Sequence, residues 1–111
     1  MPWHIEYPYD DVAQFILQLS PGLAAKYLRL TDLMLEFGAD LGMPHTRALS
    51  HGLFELRLKA PEGIARIFYC TLAGQRIAML YGYIKKSQKT APQVLKIARK
   101  RLLEVKNDES R

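Results

Sequence analysis

Residues 54–72 constrain what this chain can fold into more than any other stretch. In Phe54–Lys59, Phe54, Leu56 and Leu58 alternate with Glu55, Arg57 and Lys59. That period of two belongs to a β-strand with one face on a core and the other in water. Ala60-Pro61-Glu62-Gly63 follows, with proline second and glycine fourth, as a type I turn prefers. Ile64–Leu72 then returns antiparallel, bringing Arg66 close across the hairpin from Arg57 and Lys59. Ala73-Gly74-Gln75 turns the chain again, and a third strand, Arg76–Ile84, sets Tyr81 and Tyr83 out on one face. Like charges opposed on neighbouring strands destabilise a sheet. Arg57, Lys59 and Arg66 therefore point to an anion that meets them, and the sheet is read as having a basic working face.

The flanking segments read as helices. Trp3–Tyr7 alternates as a short first strand, ended by Pro8. Asp10 or Asp11 suits the cap of a helix whose Val12, Phe15, Ile16 and Leu19 form one apolar stripe. Ser20 and Pro21 suit the N-cap and first position of a second helix, which Gly38 closes. Leu23, Tyr27, Leu30, Met34 and Phe37 make its inward stripe, and the two helices are expected to form an αα-hairpin. From Ala39 to His51 the chain reads as irregular, with Gly42, Pro44 and Gly52 as breakers. His45 and His51 are read there as loop histidines, since no further ligands complete a tetrahedral zinc site. After Lys85-Lys86-Ser87-Gln88-Lys89, Thr90 and Gln93 have the spacing of a capping box, with Pro92 in the first turn. Leu95, Ala98, Leu102 and Val105 are the buried stripe of this third helix, and Lys96, Arg99 and Lys100 a basic one.

Charge is unevenly spread along the 111 residues. Residues 1–40 carry six acids against two bases, whereas residues 57–101 carry eleven bases against Glu62 alone. A field so lopsided favours a polyanionic partner, through the counterion release that dominates nucleic-acid binding. The length fits one domain. No apolar run approaches the roughly 20 residues of a membrane span. The N-terminal MPWHIEYPYDD lacks the basic start and apolar centre of a signal peptide. A single cysteine, Cys70, forms no internal disulfide, so a cytoplasmic setting is expected.

Three segments carry a resemblance: LMLEFGADLGMPHTRALSHGLFELRLK, the APEGIARIFY hairpin, and YGYIKKSQKTAPQ leading into the basic helix. With the N-terminal helices they cover nearly the whole chain, which resembles the RelE/ParE toxin superfamily and its phage-derived HigB-like branch. The resemblance implies an α+β fold: two N-terminal helices packed on a small twisted, mainly antiparallel sheet, with a C-terminal helix. It implies a metal-independent endoribonuclease, without cofactor, that cuts mRNA in the ribosomal A site and inhibits translation. A cognate helix-turn-helix antitoxin would neutralise it. In such enzymes the RNA 2′-OH attacks the adjacent phosphate and releases a 5′-OH fragment. The ParE branch instead poisons DNA gyrase by protein contact, and an inactive RNA-binding relative is a further alternative.

Preorganised cations are what such a reaction needs most, because negative charge grows on the phosphate oxygens in the transition state. Arg66 matches the phosphate-binding arginine of the resemblance, and Arg57 and Lys59 its basic pair. Lys85, Lys86 and Gln88 fall where further catalytic and RNA-contacting groups are implied, with Lys89 and Lys96 beside them. Tyr81 or Tyr83 would stack on a base, worth roughly 1–3 kcal/mol. The proton acceptor stays open between Glu55, on the same strand face, and Lys59, whose like-charged neighbours lower a lysine's pKa.

Overall fold

The computed structural model describes residues 2–89 and 91–110. Its elements are β1 (His4–Glu6), α1 (Asp10–Leu17), α2 (Pro21–Phe37), β2 (Thr46–Ala48), a 3-10 turn (Ser50–Gly52), β3 (Phe54–Ala60), β4 (Gly63–Leu72), β5 (Arg76–Ile84) and α3 (Pro92–Glu109). The strands form one sheet in the order β1-β5-β4-β3-β2. All neighbours are antiparallel except β1, which runs parallel to β5 along one edge. The fold is α+β with three helices and a five-stranded mixed sheet.

Both faces of the sheet are covered, which corrects the expectation of one buried and one solvated face. On one side Leu56, Leu58, Ala65, Ile67, Tyr69, Ile77 and Met79 pack beneath Val12 of α1 and Leu23, Tyr27, Leu30 and Met34 of α2. On the other, Phe68, Cys70, Ala78 and Leu80 pack beneath Ala98, Leu102 and Val105 of α3. Each fully buried Val, Leu, Ile, Phe or Met among them contributes roughly 1.5–3 kcal/mol. The two clusters therefore hold the sheet from both sides. Alternation marked β3 correctly, but β4 is apolar over most of both its faces, as suits a central strand.

A β-bulge between Phe68 and Tyr69 shifts the register against β5, so that Phe68 pairs with Tyr81 and Tyr69 with Met79. Leu80 is the extra residue. In a regular strand Tyr81 and Tyr83 would lie on the opposite face from Ala78 and Leu80; the bulge brings all four to the α3 side.

The helices follow their stripes but not every expected cap. Ser20 is the N-cap of α2 with Pro21 at its start, and Gly38 ends it at φ 102°, its N–H donating to the Met34 carbonyl. Phe37 is exposed rather than inward, standing at the last position of the helix. For α1 the N-cap is Tyr9, so Asp10 and Asp11 sit in the first turn, where their charges still favour the helix dipole. The N-cap of α3 is Ala91 with Pro92 next, one residue beyond the expected capping-box register. Thr90 itself lies outside the described residues. Instead of pairing chiefly with each other, α1 packs over β5 and α2 over β3 and β4. Among the described residues no helix is long and apolar enough to cross a membrane.

Two arginines of the basic half tie elements together. Arg76 donates to Glu6 of β1 (2.8 Å) and to Glu109 of α3 (2.6 Å). Arg101 of α3 donates to Asp11 of α1 (2.9 Å) and to the Leu80 carbonyl (2.8 Å), and lies over the Tyr9 ring.

Candidate functional site

The register lays the charged residues out in two rows across the strands. In the first, Tyr83, Arg66 and Arg57 stand side by side on β5, β4 and β3. The Arg57 N–H donates to the His45 carbonyl at 2.9 Å, which extends the row to the residue preceding β2. The second row is Tyr81, Phe68, Glu55 and Arg47. Helix α3 covers the Phe68 end of this face, packing on β4 and β5. Toward β3 and β2 the face lies open.

Glu55 and Arg66 are the most enclosed of these charges, only 5% and 7% exposed. One Glu55 carboxylate oxygen lies 3.8 Å from both Arg57 Nη1 and Arg66 Nε. That is attraction without a good hydrogen bond. Arg66 also donates to the Ala65 carbonyl at 3.2 Å. Burial, and after it the Arg57 charge, lower the pKa of the Arg66 guanidinium. It stays a cation, because arginine titrates far above neutral pH. Two arginines thus share a single buried carboxylate, and the pair keeps a net positive charge.

Three shallow depressions meet at Arg57 and Arg66. The first is bordered by Lys26, Pro44, His45, Lys59 and Ile64. Ile64, Lys85, Lys86, Ser87 and Gln88 line the second. The third holds Arg47, Glu55, Lys85, Gln88 and Lys89. The loop beside them folds back on itself, with Lys85 Nζ donating to the Gln88 carbonyl and Ser87 Oγ to that of Lys89, both at 2.9 Å. Among the described residues no group of three or more His, Cys, Asp or Glu is placed to hold a metal ion.

Of the residues singled out in the sequence, Glu55, Arg57, Lys59, Arg66, Lys85, Lys86, Gln88 and Lys89 converge here. Tyr83 adjoins Arg66, its ring stacked on Phe68 with centroids 5.9 Å apart. Tyr81 does not join them. The Arg101 guanidinium lies 5.4 Å from its ring centre, and Tyr81 borders a separate depression with Tyr9, Lys100 and Glu104. Lys96 is exposed on α3 and lines none of the three depressions.

His45, Arg47 and Lys26 were missed. The first two belong to a stretch read as irregular, yet β2 lies there and pairs with β3. Thr46 points inward and is fully buried, which turns His45 and Arg47 to the other face. The signal was the same alternation of two that marks β3, shortened to three residues between Pro44 and Gly52 and so masked by those breakers.

The family model described as Phage derived protein Gp49-like (DUF891) matches residues 14–103, and the chain belongs to that family. The matched span takes in every residue of the site. No curated protein matches it.

Proposed function

We propose that this Gp49-like protein is a toxin of the RelE/HigB kind: a ribosome-dependent endoribonuclease that cleaves mRNA and is neutralised by a helix-turn-helix antitoxin. The observation that carries this reading is the Arg57–Arg66 pair. Two directly opposed cations share one buried carboxylate and open onto a surface ringed with lysines. A folded chain gains nothing from that opposition, whereas a phosphate bridging both guanidiniums relieves it through charge-assisted hydrogen bonds.

Chemically, the two arginines hold the non-bridging oxygens of the scissile phosphate and stabilise the charge that builds there as the 2′-OH attacks. Glu55, buried beneath them, is their counter-ion and keeps both forks in place. His45 borders the same depression and takes the 2′-OH proton, because an imidazole accepts and returns protons at neutral pH. Lys86, which lines the neighbouring depression at the same two arginines, supplies a proton to the departing 5′ oxygen. The products are a 5′-OH fragment and a cyclic phosphate end.

The test is to induce the chain in cells and map mRNA 5′ ends by primer extension. New codon-phased ends are expected, absent with Arg66→Ala. With His45→Ala they should form about 10²–10⁴-fold more slowly, the usual contribution of a proton-transfer group. Growth arrest with intact transcripts and broken DNA would instead assign a gyrase poison. Full-length transcripts with no arrest would assign an inactive RNA-binding protein.

A further inference from the structure

We infer that Arg47 forms a second phosphate subsite, which holds a phosphate adjacent to the scissile one. The inference rests on the nuclease reading above and adds to it the side of the site on which the RNA backbone continues. Arg47 stands directly across from Glu55 on the edge strand β2, yet Glu55 turns its near oxygen to Arg57 and Arg66, each at 3.8 Å. Among the described residues the Arg47 side chain makes no hydrogen bond or ion pair. It is exposed, and it lines the same depression as Arg57, Arg66 and Lys89.

A guanidinium left unpaired beside a carboxylate within cross-strand reach has no evident structural task. Its position on the sheet suggests what it meets. Arg57 is two residues beyond Glu55 on β3, so Arg47 and Arg57 are diagonal neighbours, about 7–8 Å apart along the sheet. That gap suits consecutive phosphates of one extended strand. The side chain projects from a strand rather than a loop, so the paired backbone of β2 and β3 sets where it starts relative to the scissile phosphate. Arginine also binds phosphate by two parallel hydrogen bonds, which makes it a reader of position as well as of charge.

The experiment uses programmed ribosomes whose mRNA carries one uncharged methylphosphonate linkage, placed in turn on each side of the cleaved bond. The wild-type cleavage rate is expected to fall about tenfold for one of the two placements, as suits the loss of one charge-assisted contact. Arg47→Gln should cut native mRNA about tenfold more slowly and lose nothing further when that same linkage is neutral. Its response to the other placement should match that of the wild type, and its thermal midpoint should be unchanged. Equal sensitivity of the variant and the wild type at both placements would overturn the subsite while leaving the nuclease standing. If wild type cut no native mRNA on ribosomes, the nuclease reading itself would fail, and the subsite with it.

Discussion

At the scale of single residues, Arg66 and Glu55 should respond to mutation in opposite directions. Arg66 is buried and faces the like charge of Arg57, with one shared carboxylate between them. Replacing it by methionine removes a repulsion and a desolvated charge, and leaves Glu55 still paired to Arg57. Arg66→Met is therefore expected to keep or raise the thermal midpoint, by up to about 1 kcal/mol or a few degrees, while abolishing cleavage. Glu55→Gln does the reverse: it leaves two cations opposed without a counter-ion and should cost roughly 1–3 kcal/mol. Paired thermal melts decide the matter. A midpoint several degrees lower for Arg66→Met would make this arginine a structural anchor and remove the stability argument for a phosphate site. The sequence showed that these charges cluster, through the alternation of Glu55, Arg57 and Lys59. It did not show that Glu55 lies beneath them, because depth depends on how α3 and the neighbouring strands cover the face.

At the scale of elements, two contacts add to the apolar packing of the helical layer on the sheet. Gly82 of β5 lies against the Phe15 ring of α1, and a Cβ there would sit 2.5 Å from Phe15 Cδ2. Gly82→Ala should then displace α1 and cost about 1–3 kcal/mol, as overpacking does. Phe15→Leu in the same chain should recover part of that loss, a coupling that a double-mutant cycle reads directly. Additive losses would place the strain elsewhere. The second contact joins the β3–β4 turn to α2, where the Gly22 N–H donates to Glu62 Oε2 at 2.6 Å. Hydrogen bonds from its own backbone N–H and then from Gly22 lower the Glu62 pKa below its ordinary 4.5. A lowered folded-state pKa means that the stabilisation is fully present above the unfolded value of about 4.5 and is lost as pH falls through the folded pKa. Glu62→Gln should therefore melt earlier than wild type at neutral pH, with the gap closing below about pH 4. A constant gap across the acid range would show that the charge of Glu62 does not act on the helix. The hairpin that positions Glu62 was legible from Pro61 and Gly63. The capping of α2 by a carboxylate forty residues away was not, because only the folded topology brings the turn to that helix. The strand at Thr46–Ala48 escaped because three residues carry too little alternation to stand out, and the parallel partner of β1 because alternation marks a strand without naming its neighbour.

At the scale of the whole molecule, the asymmetry of charge becomes an asymmetry of faces. Acids of the first forty residues, Asp10, Asp11, Asp32 and Glu36, ride on the helices that cover one side of the sheet. Two groups among the basic residues have different tasks. Arg76 and Arg101 are spent on ion pairs that fasten β1, α1 and α3. Arg57, Arg66, Lys85, Lys86 and Lys89 converge at the open end of the other face. A count along the sequence cannot separate these groups, since each of their residues counts alike among the eleven bases set against one acid in residues 57–101. Their response to salt can. Each phosphate contact contributes about 0.7 to the slope of log affinity against log salt on a single strand. Lys86→Ala should remove about one such increment from RNA binding, and Lys85→Ala together with it about two. Arg76→Ala should leave the slope untouched and lower the thermal midpoint instead, because it releases Glu6 and Glu109 and touches no RNA. Titrations across a range of salt concentrations test both sides at once. Equal slopes for wild type and the double lysine variant would take the 85–89 loop out of the contact surface. A reduced slope for Arg76→Ala would mean that the RNA path crosses the opposite edge of the sheet, away from Arg57 and Arg66.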